Sequence, residues 1–149
     1  MIRIENILTP GRSLVNAPGG SKKKVLEQIA SLISREVPDL DEQTVYESLI
    51  AREKLGSTGF GNGIAIPHCR INNSAGAVGA LITLTQPIEF DSIDSEPVDI
   101  LFAMLVPEEA HDEHLKNLAA LAGALTRSEF RQRLRAANDH ATLYQAAIA

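Results

Sequence analysis

Apolar residues recur every three or four positions in two stretches near the start of the chain, which is the spacing of an amphipathic helix. The first stretch begins after Ser21 and ends before Pro38, and the second begins after Asp41. Serine and aspartate are favoured helix N-caps and proline ends a helix, so we predict two helices here. The apolar run 14–17 predicts a short strand, which the Pro-Gly-Gly sequence at 18–20 closes.

The middle of the chain has longer apolar runs. Residues 77–85 and 98–106 are mostly apolar, and the second run is nearly continuous, as is typical of a strand buried on both faces of a sheet. The more polar segment 87–97 lies between them and predicts a loop, or a short strand around Phe90. We therefore expect the sheet to be built mainly from this part of the chain.

Helical spacing returns at His111 and continues to the end of the chain. Thr126 and Glu129 form a T-x-x-E pattern, which predicts a capping box for one helix, and Asp139 predicts the cap of a last helix. The order is thus helices, strands, helices, and we expect an α/β or α+β fold in a single domain over residues 1–149. The order of strands in the sheet is not readable from this pattern.

Composition excludes several function classes. The chain has 149 residues, 44% of them apolar, and a formal net charge of −5, so it is a poor candidate for nucleic-acid binding. No stretch approaches the ~20 mostly apolar residues of a membrane-spanning helix, and Arg3 and Glu5 interrupt the region that a signal peptide keeps apolar. We expect a cytoplasmic protein without a membrane span, and its single cysteine allows no internal disulfide.

Four of the ten glycines lie within the eight positions 56–63. Backbone N–H groups in such a loop can form a concavity that binds an anion such as a phosphate; the alternative is a plain hairpin or bulge. The segment lacks the Gly-Lys-Ser/Thr of a phosphate-binding P-loop. It also follows a predicted helix, whereas the dinucleotide-binding fingerprint lies between a strand and a helix.

His68 directly follows this segment, after the apolar triplet 64–66 and Pro67. A neutral imidazole is a good nucleophile near pH 7, so His68 is a candidate phosphoryl acceptor, the alternative being a partly exposed structural histidine. Cys69 is adjacent, but successive residues of a strand point to opposite faces. We therefore expect Cys69 to be a small buried hydrophobic residue rather than the partner of His68.

His111 and His114 lie three positions apart at the start of a predicted helix and share one of its faces. With His68 they are candidates for a metal site, but the H-E-x-x-H spacing of zinc proteases is absent. We expect no metal, and we expect His111 to be exposed to solvent.

Arginines recur every four residues at positions 127, 131 and 135. This spacing indicates a basic helix face, which could meet a phosphate or an acidic partner. The alternative is a solvated face in which Glu129 pairs with Arg133.

Residues 52–68 carry a family resemblance, with the sequence REKLGSTGFGNGIAIPH. This segment resembles the signature of the enzyme IIA domains of the bacterial phosphoenolpyruvate phosphotransferase system, mannitol/fructose type, and most closely their nitrogen-regulatory branch. The likeness continues through PVDILFAMLVP at 97–107 and HLKNL at 114–118, and it covers nearly the whole chain.

The resemblance implies an α/β fold with a small mixed sheet flanked by helices. It implies that His68 accepts a phosphoryl group from a histidine phosphocarrier protein and holds it as phosphohistidine. The family's second active-site histidine maps onto His114, and its arginine onto Arg52. Cys69 stands where the family often has a small residue such as glycine.

Three loop residues, Ser57, Thr58 and Gly59, are expected to bind the phosphoryl group through backbone N–H and hydroxyl donors. Phosphoryl transfer depends mainly on positioned donors that stabilise charge on the equatorial oxygens. Transfer between two histidines requires no metal, so we expect no metal or other cofactor.

Three roles remain open at this point. The first is a regulatory phosphoryl carrier that controls target proteins, such as potassium-transport or sensor-kinase components, according to its phosphorylation state. The second is a sugar-specific IIA component that passes the group to a IIB domain in fructose or mannitol uptake. The third is a binding module in which His68 is never phosphorylated. The free-standing length and the nitrogen-regulatory signature favour the first.

Overall fold

The structure is a computed structural model that describes residues 3–71, 76–108 and 112–149, with the backbone alone described for 112–115. Its strands are β1 Ser13–Ala17, β2 Gly59–Gly61, β3 Ile64–Ala65, β4 His68–Ile71, β5 Val78–Ile88 and β6 Val98–Pro107. Its helices are α1 Lys22–Glu36, α2 Glu42–Leu55, α3 Asp112–Leu125, α4 Ser128–Ala136 and α5 His140–Ile148. Two short 3-10 turns, Ile4–Asn6 and Pro10–Arg12, precede β1.

The two long strands β5 and β6 pair in antiparallel fashion at the centre of a six-stranded mixed sheet. β1 lies parallel to β5 on one side. On the other side, β3 and β4 both lie parallel to β6, with Ile64 opposite Ile100 and His68 opposite Met104. β3 and β4 are therefore two segments of one interrupted strand, and His68 is the first residue after the interruption.

Alternate residues of β6 face two separate apolar cores, as the period of two in a strand requires. Leu101, Ala103 and Leu105 pack on the side of α1 and α2. Ile100 and Phe102 pack on the other side, where α3, α4 and α5 contribute. The sheet is thus covered by helices on both faces, which confirms the α/β fold with a small mixed sheet and explains why β6 is almost uniformly apolar.

Three helix caps predicted from the sequence are confirmed. The Ser21 hydroxyl oxygen accepts from the Lys24 N–H at 3.2 Å, and Asp41 accepts from the Thr44 N–H at 3.0 Å. Asp139 accepts from the Thr142 N–H at 2.7 Å. Within the described ranges, no helix has the length and apolar content needed to cross a membrane.

The predicted capping box at Thr126 is wrong. α4 begins at Ser128 after Arg127, and no side chain caps it. The Thr126 hydroxyl instead donates to the carbonyl oxygen of Gly123 at 2.6 Å, because α3 ends at Leu125 and leaves that carbonyl in need of a donor. The predicted end of the first long strand is also too early, since β5 continues through Ile88.

Candidate functional site

His68 lies where the strand beside β6 is interrupted. Pro67 lacks an N–H and cannot continue the ladder, while its carbonyl oxygen accepts from the Met104 N–H at 2.9 Å and keeps the chain against β6. His68 lines a cleft that α3 also lines, whereas Cys69 is buried in the core of α1 and α2. The prediction that these two neighbours face opposite sides of the sheet is therefore confirmed.

One ring nitrogen of His68 has a partner within the protein. Nδ1 lies 2.7 Å from the carbonyl oxygen of Ile66. A carbonyl oxygen accepts but does not donate, so Nδ1 carries the proton and Nε2 carries the lone pair. The ring is half-buried, and this loss of solvation together with the positive charge of Arg52 lowers the pKa of His68. The hydrogen bond to Ile66 and the negative charge of Glu53 act in the opposite direction but are outweighed. The imidazole is therefore mainly neutral near pH 7, with its free lone pair on Nε2.

The cleft has a volume of about 350 Å³. It brings together five residues that the sequence singled out: Arg52, Ser57, Thr58, Gly59 and His68. α3 supplies an apolar part of the lining through Leu118, Ala119 and Ala122. Cationic, polar and apolar groups thus surround the histidine.

The sequence analysis named two other histidines. His111 lies outside the described residues, and of His114 only the backbone, which lies in α3, is described. Residue 114 precedes Leu118 by four positions, which is one helical turn. The role of His114 stays a prediction. In the portion of the chain that the structure describes, no three histidine, cysteine or acidic side chains converge as metal ligands.

The donors of the loop are engaged inside the protein. The Thr58 hydroxyl and N–H donate to Glu53 Oε1 at 2.6 and 3.0 Å. The Ser57 hydroxyl donates to the Phe90 carbonyl oxygen at 2.7 Å, and the Gly59 N–H donates to Ser57 Oγ at 3.0 Å. The loop therefore holds its shape without an anion.

The glycine-rich segment forms a two-residue hairpin between β2 and β3. Asn62 and Gly63 occupy its turn with φ of 58° and 80°, the combination for which Asn-Gly is favoured. Gly59 allows a close approach to the following loop, because a Cβ there would lie 2.6 Å from Ser92 Oγ. Much of the glycine pattern thus serves the hairpin, while one of its strands lines the cleft.

Sequence reasoning missed Glu53 as part of the site. Its side chain is buried and accepts from Lys22 Nζ at 2.8 Å as well as from Thr58. Although burial opposes it, these hydrogen bonds hold the pKa of Glu53 below its ordinary value. A signal was present: Val45, Leu49 and Glu53 recur every four residues and form the buried stripe of α2. A carboxylate on the buried face of a helix indicates that a cation or a hydrogen-bond donor elsewhere in the protein pairs with it.

The arginines of α4 contact the protein itself. Arg135 donates to both carboxylate oxygens of Asp99 at 2.9 and 3.0 Å and to the Asn62 carbonyl oxygen at 2.9 Å, which ties α4 to the hairpin turn. Arg131 donates to the carbonyl oxygen of Thr126 at 2.7 Å. Arg131 and Arg135 therefore form neither a helix face free to bind a partner nor one that contacts only solvent, because both side chains donate to groups of the protein itself.

Comparisons with known proteins identify the family of this chain. The family model of the phosphoenolpyruvate-dependent sugar phosphotransferase system, EIIA 2, matches residues 6–148. A nitrogen regulatory protein from Pseudomonas aeruginosa is 58% identical over 148 residues, covering 99% of this chain and 96% of that protein. The crystal structure of nitrogen regulatory protein IIA-Ntr from Neisseria meningitidis has a TM-score of 0.90 at 39% identity, covering 97% of this chain and 98% of that chain.

A more distant structure shares the fold alone. The mannitol IIA of Escherichia coli is 15% identical, with a TM-score of 0.78 over 94% of this chain and 98% of that chain. The fold is thus common to mannitol and nitrogen-regulatory IIA proteins, while the higher identities lie with the latter. The chain belongs to the EIIA type 2 family of the phosphoenolpyruvate-dependent phosphotransferase system, in its nitrogen-regulatory branch.

Proposed function

We propose that His68 accepts a phosphoryl group at Nε2 from a histidine phosphocarrier protein, and that target proteins distinguish the phosphorylated from the free form. The observation that carries the proposal is the orientation of the imidazole. Its Nδ1–H is bonded to the Ile66 carbonyl oxygen, and its remaining nitrogen belongs to a residue that lines the same cleft as Arg52. A neutral, oriented imidazole beside a cation suits an incoming dianionic phosphoryl group.

The transfer step conserves atoms and protons. The Nε2 lone pair of His68 attacks phosphorus in line with the donor's phosphorus–nitrogen bond. That bond breaks, and its electron pair returns to the imidazole nitrogen of the phosphocarrier. The Nδ1–H stays on His68, where its bond to the Ile66 carbonyl oxygen stabilises the positive charge that develops on the ring. No cofactor enters this scheme.

Other residues stabilise the charge of the transferred group. Arg52 faces the negative equatorial oxygens, and we assign the same task to His114 on the strength of the family resemblance. Ser57, Thr58 and Gly59 line the cleft, and their donors reach the phosphoryl oxygens by sharing the internal bonds described above. We further propose that the protein works in the cytoplasm, where it meets the phosphocarrier.

A regulatory role fits the branch better than sugar uptake does. Phosphorylation adds about −1.5 to −2 charges near neutral pH. The chain already carries a net charge of −5, and the cleft has an apolar part in Leu118, Ala119 and Ala122. A target that docks over the cleft in the free form would bury that added charge, so phosphorylation weakens its binding.

A reconstituted phosphoryl-transfer assay tests the proposal. The protein is incubated with phosphoenolpyruvate, enzyme I and the phosphocarrier, and intact mass is measured. We expect a gain of one phosphoryl group that is lost in His68→Gln. His140→Gln is the matched control, because His140 Nδ1 also lies 2.7 Å from a carbonyl oxygen, that of Ser13, but His140 does not line the cleft.

Two outcomes would change the assignment. No mass gain in the wild-type protein would leave a binding module in which His68 is not phosphorylated. Rapid passage of the group onward to an added fructose or mannitol IIB domain would favour the sugar-uptake role instead.

A further inference from the structure

A continuous series of hydrogen bonds connects Glu53 to the imidazole of His68. Glu53 Oε1 accepts from both the N–H and the hydroxyl of Thr58, at 3.0 and 2.6 Å. The Thr58 carbonyl oxygen accepts from the Ile66 N–H at 3.0 Å. The Ile66 carbonyl oxygen in turn accepts from His68 Nδ1 at 2.7 Å. The Ile66 carbonyl oxygen sets the ring orientation of His68. Two hydrogen bonds, through Ile66 and Thr58, link the residue that carries this oxygen to the buried carboxylate of Glu53.

The carboxylate at the start of this series is itself fixed. Glu53 is 8% exposed, and its Oε2 accepts from Lys22 Nζ at 2.8 Å. Lys22 Nζ also donates to Asp91 Oδ2 at 2.9 Å and lies 4.8 Å from the centre of the Phe90 ring. Hydrogen bonds that satisfy a buried charge on several sides restrict its position strongly. Glu53 therefore connects α1, α2 and the loop that lines the cleft.

We propose that Glu53 is a positioning residue for phosphoryl transfer, because its hydrogen bonds from Thr58 keep the Ile66 carbonyl oxygen where it holds His68 as the Nδ1–H tautomer. The consequence for transfer rests on the proposed function of His68. The tautomer itself can be measured in the unphosphorylated protein, so the two ideas fail separately.

Glutamine cannot reproduce the contacts of this carboxylate. Oε1 accepts two bonds from Thr58, and Oε2 accepts from Lys22 at 2.8 Å and from the Thr58 N–H at 3.2 Å. In Glu53→Gln one of these oxygens becomes an NH₂ group, which donates but does not accept. If the NH₂ group lies toward Lys22, it faces the ammonium donor. If it lies toward Thr58, it faces the backbone N–H, and the Thr58 hydroxyl must rotate to accept from it. The shape of the side chain is kept, while the anchor of the loop is weakened.

The chain offers a closely matched control at the other end of α2. Asp41 Oδ2 accepts from both the N–H and the hydroxyl of Thr44, each at 3.0 Å. Glu53 Oε1 receives the same pair of bonds from Thr58, but Asp41 caps the start of this 14-residue helix. The cleft that His68 lines contains Arg52, from the last turn of the helix. Asp41→Asn therefore tests whether replacing any threonine-bound carboxylate with its amide has the same effect.

The test measures the ¹⁵N chemical shifts of the His68 ring by NMR, together with the single-turnover rate of phosphoryl transfer. We expect the wild type and Asp41→Asn to show one Nδ1–H tautomer. We expect Glu53→Gln to show a mixture of tautomers, with transfer slower by about tenfold to a hundredfold, the usual cost of a small misplacement. A wild-type tautomer and rate in Glu53→Gln would overturn the proposal.

A second pair of variants keeps the test decisive if Glu53→Gln does not fold. Thr58→Val removes the hydroxyl donor with little change of shape, and Thr58→Ser retains it. We expect a shifted tautomer balance in the valine variant and the wild-type signature in the serine variant. Equal loss of thermal stability in both, with unchanged ring shifts, would mean that the contact is only structural. If the tautomer shifts in these variants but the wild-type protein never gains a phosphoryl group, Glu53 does control the tautomer of His68, and the proposed function is wrong.

Discussion

Arg52 and His68 line the same cleft, where burial of the ring and the positive charge of Arg52 both lower the pKa of the imidazole. Arg52 Nη1 also donates to the carbonyl oxygen of Gly56 at 2.8 Å, which anchors the guanidinium at the end of α2. One cation thereby does two things. It adds to the effect of burial in favouring the unprotonated form of His68, and under the proposed function it lies where the negative charge of a phosphoryl group would arrive.

Replacing Arg52 separates these two effects. We expect Arg52→Ala to slow phosphoryl transfer by about a hundredfold, as loss of one charge-stabilising donor typically does, and to raise the pKa of His68. Arg52→Lys retains the charge but not the planar fork, so it should keep the low pKa and recover only part of the rate. Rapid-quench kinetics and an NMR titration measure both quantities; an unchanged rate in Arg52→Ala would place this residue outside the reaction.

The lowered pKa of His68 predicts the pH dependence of phosphoryl acceptance. Under the proposed function only the unprotonated Nε2 attacks phosphorus. At pH 6.5, where an ordinary imidazole is half protonated, the rate should therefore exceed half of its maximum. The acid limb of the profile should coincide with the NMR titration midpoint of His68, below 6.5. A midpoint above 6.5 would show that burial and Arg52 do not dominate at this ring.

Stability should fall in acid through two groups with lowered pKa values. The unfolded chain protonates His68 near 6.5 before the folded protein does, so stability is lost from that pH down to the folded pKa. Glu53 contributes stability above its ordinary value of 4.5, which is lost as the pH falls through its lower folded pKa. Urea unfolding at several pH values should show a smaller acid loss in His68→Gln between these limits, and in Glu53→Gln below 4.5.

Two glycines of the same segment should respond very differently to alanine. At Gly59 a Cβ would lie 2.6 Å from Ser92 Oγ and 2.8 Å from Ser92 Cα, so Gly59→Ala must displace the backbone of the neighbouring loop. We expect it to lower the free energy of unfolding by about 1–3 kcal/mol, as overpacking does. Gly56→Ala is the control, because no atom lies within 4 Å of a Cβ at this position. The φ of Gly56, 161°, is also that of an extended backbone, which alanine can adopt. Equal effects in urea unfolding would contradict this contact.

The Cys69 thiol beside His68 should be inert in the folded protein. Burial raises the pKa of Cys69 to about 12, so almost no thiolate forms at neutral pH. Alkylation by iodoacetamide, followed by intact mass, should be very slow in native conditions and fast in urea. Rapid native alkylation would show that Cys69 is accessible from the cleft.

Local signals in the sequence predicted much of this molecule. Ser21 and Asp41 cap helices because their side chains accept an N–H three residues later, a contact that lies within the local sequence. The opposite placement of His68 and Cys69 follows from strand periodicity alone. These features need no knowledge of distant partners.

The features that sequence reasoning missed depend on partners that no sequence pattern specifies, some of them distant along the chain. Glu53 is buried because Lys22, 31 residues earlier, reaches it. Thr126 matches a capping pattern, but its hydroxyl is used by the last turn of the preceding helix. The donors of the glycine-rich loop are engaged by Glu53 and Phe90, which no spacing rule indicates. Local patterns specify which groups need partners, and the tertiary fold decides which partners they obtain.

The central claim, that Nε2 of His68 carries the phosphoryl group, is tested most directly by NMR of the ¹⁵N-histidine-labelled protein after phosphorylation by phosphoenolpyruvate, enzyme I and the phosphocarrier. Coupling to phosphorus identifies the bonded nitrogen. The internal bond from Nδ1 to the Ile66 carbonyl oxygen predicts coupling at Nε2 of His68, with the Nδ1 proton retained. Phosphorus on Nδ1 of His68, or on any other histidine, would contradict the account.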